Sequence, residues 1–424
     1  MDPRGPRRRG AAPAGARRPR AGLPAGLRPG ADGRVTGDEE RVARAGLSRI
    51  AEPGDPEVFR AVASLGAVEV WESLRRGVPV GRLTQGVLPG IVARADGLDP
   101  RVDLDRAARA GARLVCPGDP EWPDGRLSWP TGGDGDLDDP PPLSLWVRGD
   151  WPLAEAAARS AAVVGARAAS SYGLHVAADL AAGIATGGAS VVSGGAYGID
   201  AAAHRGALAA GGSPTVAVLA CGVDVAYPRG NDRLLGAVAE RGLVVSELPP
   251  GSHPTRRRFL VRNRLIAALS VGTVVVEAAA RSGSLATADR ARKLNREVMA
   301  VPGPVTSSMS TGCHVELRRG ATCVTTAREV LELISRPGEH VATEPRGPVD
   351  VRDGLPETVR RVLDAVPVRR SIGVAALARE AGTSPIVVQQ VMPPLEAHGL
   401  VQRTPEGWRL TALGTGKVPT SPAR

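Results

Sequence analysis

The sequence predicts an α/β protein. Its core carries a parallel sheet covered by helices, a small helical domain precedes it, and a three-helix unit closed by a hairpin follows. Three observations predict this. First, short apolar or β-branched runs at 161–165, 190–193, 215–219, 243–246, 273–277 and 297–301 alternate with helical stretches, and a parallel sheet with helices on both faces reads that way. Second, the 424 residues exceed the roughly 250–300 that one core holds before a chain divides. Third, the flanks on either side of the alternating region carry helical punctuation and few strand signals.

Residues 1–34 are Arg, Pro, Gly and Ala without apolar period, and are expected to be a disordered basic tail. The tail is either dispensable, an over-extended start, or a phosphate-binding arm. Residues 35–115 form the helical domain, with helices expected at 39–50, 56–64, 67–76 and 100–112. Glu52–Pro56 and Gly77–Pro79 punctuate them. Such a bundle either binds DNA or packs on its neighbour. Residues 116–142, rich in Pro, Gly, Asp and Trp, read as a linker.

The core spans 143–336, with helices expected at 173–186, 199–210, 231–240, 262–269 and 285–294. In the first of these, Leu174, Ala177, Ala181 and Ile184 recur at helical spacing. Residues 337–355 read as a second linker. In 356–412, helices at 356–365, 373–381 and 384–398 lead into a hairpin about Pro405-Glu406-Gly407, the winged-helix pattern. Residues 413–424 read as a loose tail.

Composition excludes several classes. The four cysteines, Cys116, Cys221, Cys313 and Cys323, form no CxxC pair and six histidines are present, so neither a metal site nor a disulfide framework is expected. This suits a reducing cytoplasm. No apolar run reaches the roughly 18 residues that a membrane helix needs, and no apolar segment follows the basic N-terminus as in a secretory signal. The net charge of +10 suggests an acidic partner. However, 1–34 hold nine Arg against two Asp, so seven of those charges sit in the tail. Binding must be argued from local sites.

Four motifs carry that argument. In 161–173 a buried strand ends in Gly165-Ala166-Arg167 before a helix, a turn that offers backbone N–H groups and a bidentate guanidinium to a phosphate. The full GxGxxG signature is absent. In 193–208, Ser193, Gly194 and Gly195 form a second such turn. Tyr197 either stacks on a base or packs, and Asp200 and His204 lie one helical turn apart. That pair reads as structural and hydrogen-bonded rather than catalytic, because no nucleophile motif accompanies it. In 256–264, Arg262, Asn263 and Arg264 are expected to start a helix behind Arg256, Arg257 and Arg258. Cations at a helix N-terminus call for an anion, and the pattern reads as a phosphate-tracking groove. In 274–288, Glu277 ends a strand and Ser282-Gly283-Ser284 opens a helix. Glu277 either orients arginines or is catalytic, and the orienting role is favoured. The "GTGK" at 414–417 lacks the remainder of a Walker A loop.

Together these motifs resemble the DNA-processing protein A family. Its Gly-Ser-Arg turn and Tyr-Gly appear as Gly165-Ala166-Arg167 and Tyr172-Gly173. Its Ser-Gly-x-Ala-x-Gly-Ile-Asp stretch with Ala-His runs from Ser193 to His204. Its Asp-x-x-Tyr-Pro-x-x-Asn is Asp224, Tyr227, Pro228 and Asn231. Ser246-Glu247, Pro249-Pro250-Gly251, Phe259, Arg262-Asn263-Arg264, Glu277, Ser282-Gly283-Ser284 and Pro302-Gly303 follow in order. The resemblance implies an extended Rossmann-like core that binds single-stranded DNA, with duplex bound more weakly. It also implies homodimerisation, delivery of DNA to the RecA recombinase as in natural transformation, and no cofactor or enzymatic turnover. An N-terminal helical domain of the SAM or helix–hairpin–helix kind and a C-terminal winged helix are also implied. The chain departs from the family pattern at Ala166, where the family has Ser, at Cys313-His314 after Gly312, and at Glu316, where an apolar residue is usual.

Two other classes remain on the sequence. One is a phosphoribohydrolase-like enzyme, but "EAAARSGSLATA" lacks the paired Gly and trailing Glu of that group. The other is a winged-helix regulator. The helix at 384–398 has no Arg or Lys, so it reads as a protein-packing helix rather than a duplex reader.

Overall fold

The structure is a computed structural model that describes residues 36–80, 88–129, 140–340, 352 and 354–415. The expected basic tail lies outside the described residues, as do parts of both linkers and of the C-terminal tail. The chain divides into two compact units, residues 1–342 and 343–424.

The first unit opens with helices α1 (Asp38–Ile50), α2 (Pro56–Leu65), α3 (Ala67–Arg75), α4 (Leu88–Ala95) and α5 (Pro100–Arg109). Their starts follow local chemistry. Asp55 and Asp99 cap α2 and α5 through backbone amides of the first turn, each followed by Pro at the first helical position. Leu47, Ile50, Val62, Val70, Trp71 and Leu74 form a core among these helices. Ala45 and Ala107 face the other way and pack with Trp146 of the sheet. Arg49 donates to Asp103 at 2.8 and 2.5 Å and to the Pro250 carbonyl at 2.7 Å, which ties the helices to the sheet unit.

The rest of the unit runs β1 (Ala112–Val115), α6 (Asp124–Leu127), β2 (Leu145–Arg148), α7 (Leu153–Ala158), β3 (Ser160–Val164), α8 (Ser171–Thr186), β4 (Ser190–Ser193) and α9 (Ile199–Ala210). It continues with β5 (Thr215–Val218), α10 (Asp232–Arg241), β6 (Leu243–Ser246), α11 (Arg256–Leu269), β7 (Gly272–Val275), α12 (Gly283–Lys293), β8 (Glu297–Ala300), α13 (Thr311–Arg318), β9 (Thr322–Cys323) and α14 (Ala327–Ile334). Among the described residues nine strands make one sheet, in the order β1-β2-β6-β5-β4-β3-β7-β8-β9. Pairings from β6 through β9 are parallel, whereas β1–β2 and β2–β6 are antiparallel.

Successive residues on the central strands serve opposite faces. Val163, Val191 and Val274 meet α8, α9 and α14, while Val164, Val192 and Val275 meet α11 and α12. That two-sided burial is why these strands read as continuous apolar runs. From β3 the chain builds outward to β4, β5 and β6, then returns to place β7 on β3's other side. The crevice between the loops after β3 and β7 is therefore a topological switch point.

Three expectations need correction. Residues 116–129 are not a linker: Trp122 and Leu127 are buried in the sheet's core, and β1 just before them is an edge strand. A four-residue antiparallel edge, without alternating helices, leaves little periodic signal. Helix α11 begins at Arg256, not Arg262, because Thr255 caps it by accepting from the Arg258 amide. Leu174 is 38% exposed, so the buried stripe of α8 runs through Gly173, Ala177, Ala181 and Ile184 instead.

Glu316 on α13 is fully buried. It accepts from Arg292 on α12 and from Arg319 at 3.0 Å, and Asp289 holds Arg319 at 2.9 Å. The buried carboxylate thus organises an ion network joining α12 to α13.

The second unit holds α15 (Glu357–Asp364), α16 (Val374–Glu380), α17 (Pro385–Ala397), β10 (Val401–Thr404) and β11 (Gly407–Leu410). The two strands pair antiparallel, and Val362, Leu377, Met392, Leu395 and Trp408 form its core.

Glu316→Ala leaves Arg292 without its buried partner. Urea denaturation should show a loss of about 3 kcal/mol, whereas Arg319→Ala, at the half-exposed end of the network, should cost under about 1 kcal/mol. Equal losses would mean that the buried carboxylate does not organise the network.

Candidate functional site

The carboxyl ends of β3, β4 and β7 turn into Gly-rich loops, and α11 and the start of α12 lie against them. Between them is a cleft of about 320 Å³. Gly165 and Arg167 line it from the loop after β3, Arg262 and Asn263 from α11, and Ser282 to Ser284 from the start of α12.

Arg262 is the deepest cation. It is 6% exposed. Its Nη1 donates to the Gly194 carbonyl at 2.7 Å and to the Val218 carbonyl, at the ends of β4 and β5. Among the described residues its Nε has no hydrogen-bond partner. Burial pushes the pKa of this guanidinium down, and the nearby Asp200 carboxylate opposes that shift. Burial likewise raises the Asp200 pKa, against the pull of Arg262 and of the Ala196 amide. A Cβ on Gly194 would sit 2.4 Å from Arg262 Nη1, so only glycine admits this side chain.

The opposite wall is a helix N-terminus. Ser282 caps α12 by accepting from the Ser284 amide at 3.4 Å, and its hydroxyl lies 2.8 Å from that of Ser284. Asn263 Nδ2 donates to the Gly283 carbonyl at 3.2 Å, which fixes α12 against α11. The partial positive charge of the α12 N-terminus therefore opens into the same cleft as Arg167 and Arg262.

An aromatic rim stands above. The Arg167 guanidinium lies 5.1 Å from the Phe259 ring centroid and that of Arg262 lies 6.0 Å from it. The Tyr227 ring is 5.6 Å from Phe259 at 46°. Tyr197, 49% exposed, accepts from the Gly230 amide at 3.3 Å.

Of the residues singled out in the sequence, Gly165, Arg167, Asp200, Arg262, Asn263, Ser282, Gly283 and Ser284 meet in the cleft. Tyr197 sits beside it on the rim. The others do not reach it. The Ala166 amide, expected to be free for phosphate, donates to the Glu277 carbonyl at 2.7 Å, and the Ala166 carbonyl accepts from Ile199. Ser193 is fully buried and its hydroxyl donates to the Val163 carbonyl at 2.6 Å. Gly194 and Gly195 present carbonyls to Arg262 and Asn231, and the Gly194 amide is taken by the Asp200 carboxylate. Arg264 is 1% exposed and bonds both Glu247 oxygens at 2.6 and 2.7 Å. Residues two apart on a helix point about 200° apart, so Arg262 and Arg264 cannot serve one groove.

The two orienting expectations also change partners. Glu277 orients no arginine. It accepts from the Ser170 hydroxyl at 2.5 Å and the Ser170 amide at 2.9 Å, so it fixes the start of α8. His204 bonds Thr215 Oγ1 at 2.7 Å rather than Asp200. Thr215 donates its own proton to the Val191 carbonyl, so His204 Nδ1 is the donor and Nε2 is bare and buried, with no partner among the described residues. Sequence reasoning missed Phe259 and Tyr227 as site residues. The available signal was scarcity: aromatics are 3% of the chain, and Phe259 directly follows Arg256-Arg257-Arg258 while Tyr227 precedes Pro228-Arg229-Gly230.

A family model described as DNA recombination-mediator protein A matches residues 113–335. The chain is 45% identical over 383 residues to the putative DNA processing protein DprA of Mycobacterium tuberculosis, covering 88% of this chain and 95% of that one. It is 42% identical over 190 residues to DNA processing protein DprA of Streptococcus pneumoniae, covering 45% of this chain and 66% of that one. The X-ray structure of the Streptococcus pneumoniae protein superposes with a TM-score of 0.57 at 28% identity, over 71% of this chain and 100% of that one.

Burial foremost, then the charges of Arg262 and Arg205, push the His204 pKa down to about 3. The unfolded value is near 6.5, so the neutral ring stabilises the fold fully above pH 6.5 and that contribution is lost as pH falls toward 3. Denaturation midpoints should drop with a one-proton slope below pH 6.5, amounting to about 3 kcal/mol by pH 4. The slope should flatten in His204→Gln. An unchanged slope in that variant would assign acid sensitivity to other groups.

Proposed function

Because the chain belongs to the DNA recombination-mediator protein A family, we propose that it binds single-stranded DNA at the switch-point cleft and passes it to RecA, without turnover. The observation that carries this reading is the convergence of Arg167, Arg262 and the α12 N-terminus beneath exposed aromatic rings. Three sources of positive potential face one small volume, which suits a phosphate. Rings at the rim suit an unpaired base, whose face is free only in a single strand. Duplex DNA hides its base faces, so it engages the cations alone and binds more weakly.

The chemistry of the buried carboxylates agrees with a binding role. Glu277 is engaged with Ser170 and turned from the cleft. Asp200 faces Arg262 and counterbalances it. Burial pushes the Cys221 thiol up to about 12, so it is no nucleophile at neutral pH. The hydrolase reading would require base release from a nucleotide, and none is expected. The same family reading extends to a cytoplasmic homodimer. It also gives a winged-helix role to the second unit, whose α17 has no Lys or Arg and suits protein contact. Among the described residues no helix is long and apolar enough to cross a membrane.

Arg167 is the residue to test, because it is exposed, whereas Arg262 is buried and its charge reversal would disrupt the fold. Arg167→Glu in the full chain should weaken oligo-dT binding at least about tenfold by fluorescence anisotropy. It should also reduce the log–log salt slope by about 0.7, as expected when one fewer phosphate is neutralised. Unaltered affinity and slope would remove the cleft as the DNA site.

A further inference from the structure

Helix α11 carries Arg256, Arg257 and Arg258 in its first turn and no acidic residue there. Cations at a helix N-terminus oppose the macrodipole. The Thr255 cap is long, at 3.3 Å. This turn therefore draws little support from its own sequence. Yet it carries Phe259, whose ring lies 5.1 Å from the Arg167 guanidinium, and Arg262 follows one turn on.

The missing negative charge arrives from another element. Glu52, in the loop between α1 and α2, accepts from Arg258 Nε at 2.9 Å and from Nη2 at 2.7 Å. Arg258 Nη1 donates to the His253 carbonyl at 2.8 Å. Among the described residues no other carboxylate forms an ion pair with this turn. The hydrogen bonds from Arg258 hold the Glu52 carboxyl below its ordinary pKa against the effect of burial, and the charges of Arg258, Arg257 and Arg94 add to that pull.

The contact extends beyond one ion pair. A Cβ on Gly54, at φ +74°, would lie 2.9 Å from Val261 Cγ1 and 3.4 Å from Arg264 Nε, so the loop backbone lies directly against α11. Pro53, Arg258, Arg262 and Leu265 surround one small void. Behind the loop, Arg94 of α4 donates to the Ile50 carbonyl at 2.8 Å, and Arg49 donates to the Pro250 carbonyl at 2.7 Å. The loop is thus held from both sides, one layer from the Arg262 side chain.

We propose that the helical segment controls the cleft through the 51–55 loop. Glu52 is a positioning residue that sets the first turn of α11, and single-strand binding is coupled to the seating of that loop. This rests on the single-strand reading above and adds a means of regulation, because whatever displaces the loop lowers the affinity of the cleft. Glu52 itself touches no DNA. The coupling is reciprocal, so an occupied cleft also holds the loop more firmly.

The sign of one effect separates this from plain electrostatics. Removing a negative charge near a polyanion's site raises affinity when charge alone matters, whereas removing a positioning residue lowers it. Binding of the full chain to oligo-dT is measured by fluorescence anisotropy at one ionic strength, and amide exchange of residues 51–58 is followed with and without the oligonucleotide. Glu52→Gln should weaken binding about three- to fivefold, the ceiling for a half-exposed ion pair. Its thermal midpoint should stay within about 3 °C of wild type. Exchange in 51–58 should slow on binding in the wild type and not in Glu52→Gln. The double variant Glu52→Arg with Arg258→Glu, which restores the attraction, should return affinity to within about twofold of wild type. Raised affinity in Glu52→Gln would make Glu52 a mask over Arg258 and overturn the proposal, as would unaltered affinity. A large fall in thermal midpoint, exchange that slows equally in the variant, or no recovery in the double variant would also overturn it. Failure of the wild-type chain to bind oligo-dT would refute the single-strand reading itself, whereas loss of the loop effects alone leaves that reading standing.

Discussion

The architecture depends on a charge held at the ends of two strands. Arg262 brings a guanidinium into the interior and pins it to the Gly194 and Val218 carbonyls. Removing a charge from water is costly unless it is paired and hydrogen-bonded. Two carbonyl dipoles and the Asp200 carboxylate partly meet that demand, yet Nε has no partner among the described residues. The remaining positive potential faces the cleft. On the proposed reading, an anion arriving there would complete the electrostatics of a side chain that the fold already holds in place, so little ordering entropy would oppose binding.

Around that arginine the loops take complementary shapes. Gly194 lacks a side chain because the guanidinium occupies the space where one would be. Gly198, at φ +75°, brings its backbone close to the loop after β3, where a Cβ would lie 2.2 Å from the Ala166 carbonyl. Glu277 receives Ser170 with its side chain and Ala166 with its carbonyl. The loops after β3, β4 and β7 are thus braced by one another, and the amides that sequence motifs offered to phosphate are used in that bracing. The anion-facing donors come instead from α12 and the arginines.

Helix α11 distributes its charges by phase. Arg258 turns to Glu52 of the helical segment at 2.7 Å, Arg262 to the cleft and Arg264 to Glu247. One cationic run therefore performs three tasks, two of which secure the helical segment and the sheet. Glu316 on α13 shows the same economy, where its buried carboxylate joins Arg319 to Arg292 of α12. That network braces the helix whose N-terminus faces the cleft.

The sequence by itself determined the parallel core, the places of its six main strands along the chain, most helix boundaries and the motif turns of the cleft. Each of those features is written locally, in runs of apolar residues, in caps such as Asp55-Pro56 and Asp99-Pro100, and in glycines at strand ends. The antiparallel strands β1 and β2 escaped, because each is four residues long and lies outside the regular strand–helix alternation of the parallel core. Tertiary structure alone decided which donors remain free. Ala166 and Ser193 lie in phosphate-like motifs, yet their polar groups meet Glu277 and Val163, residues distant in sequence. Arg262 and Arg264 look equivalent in sequence, but a helix separates them by more than half a turn. Phe259 and Tyr227 become one rim only when α11 is laid against the loop after β5. Local pattern specifies which groups exist; long-range packing determines which of them are already satisfied and which are left to meet a ligand.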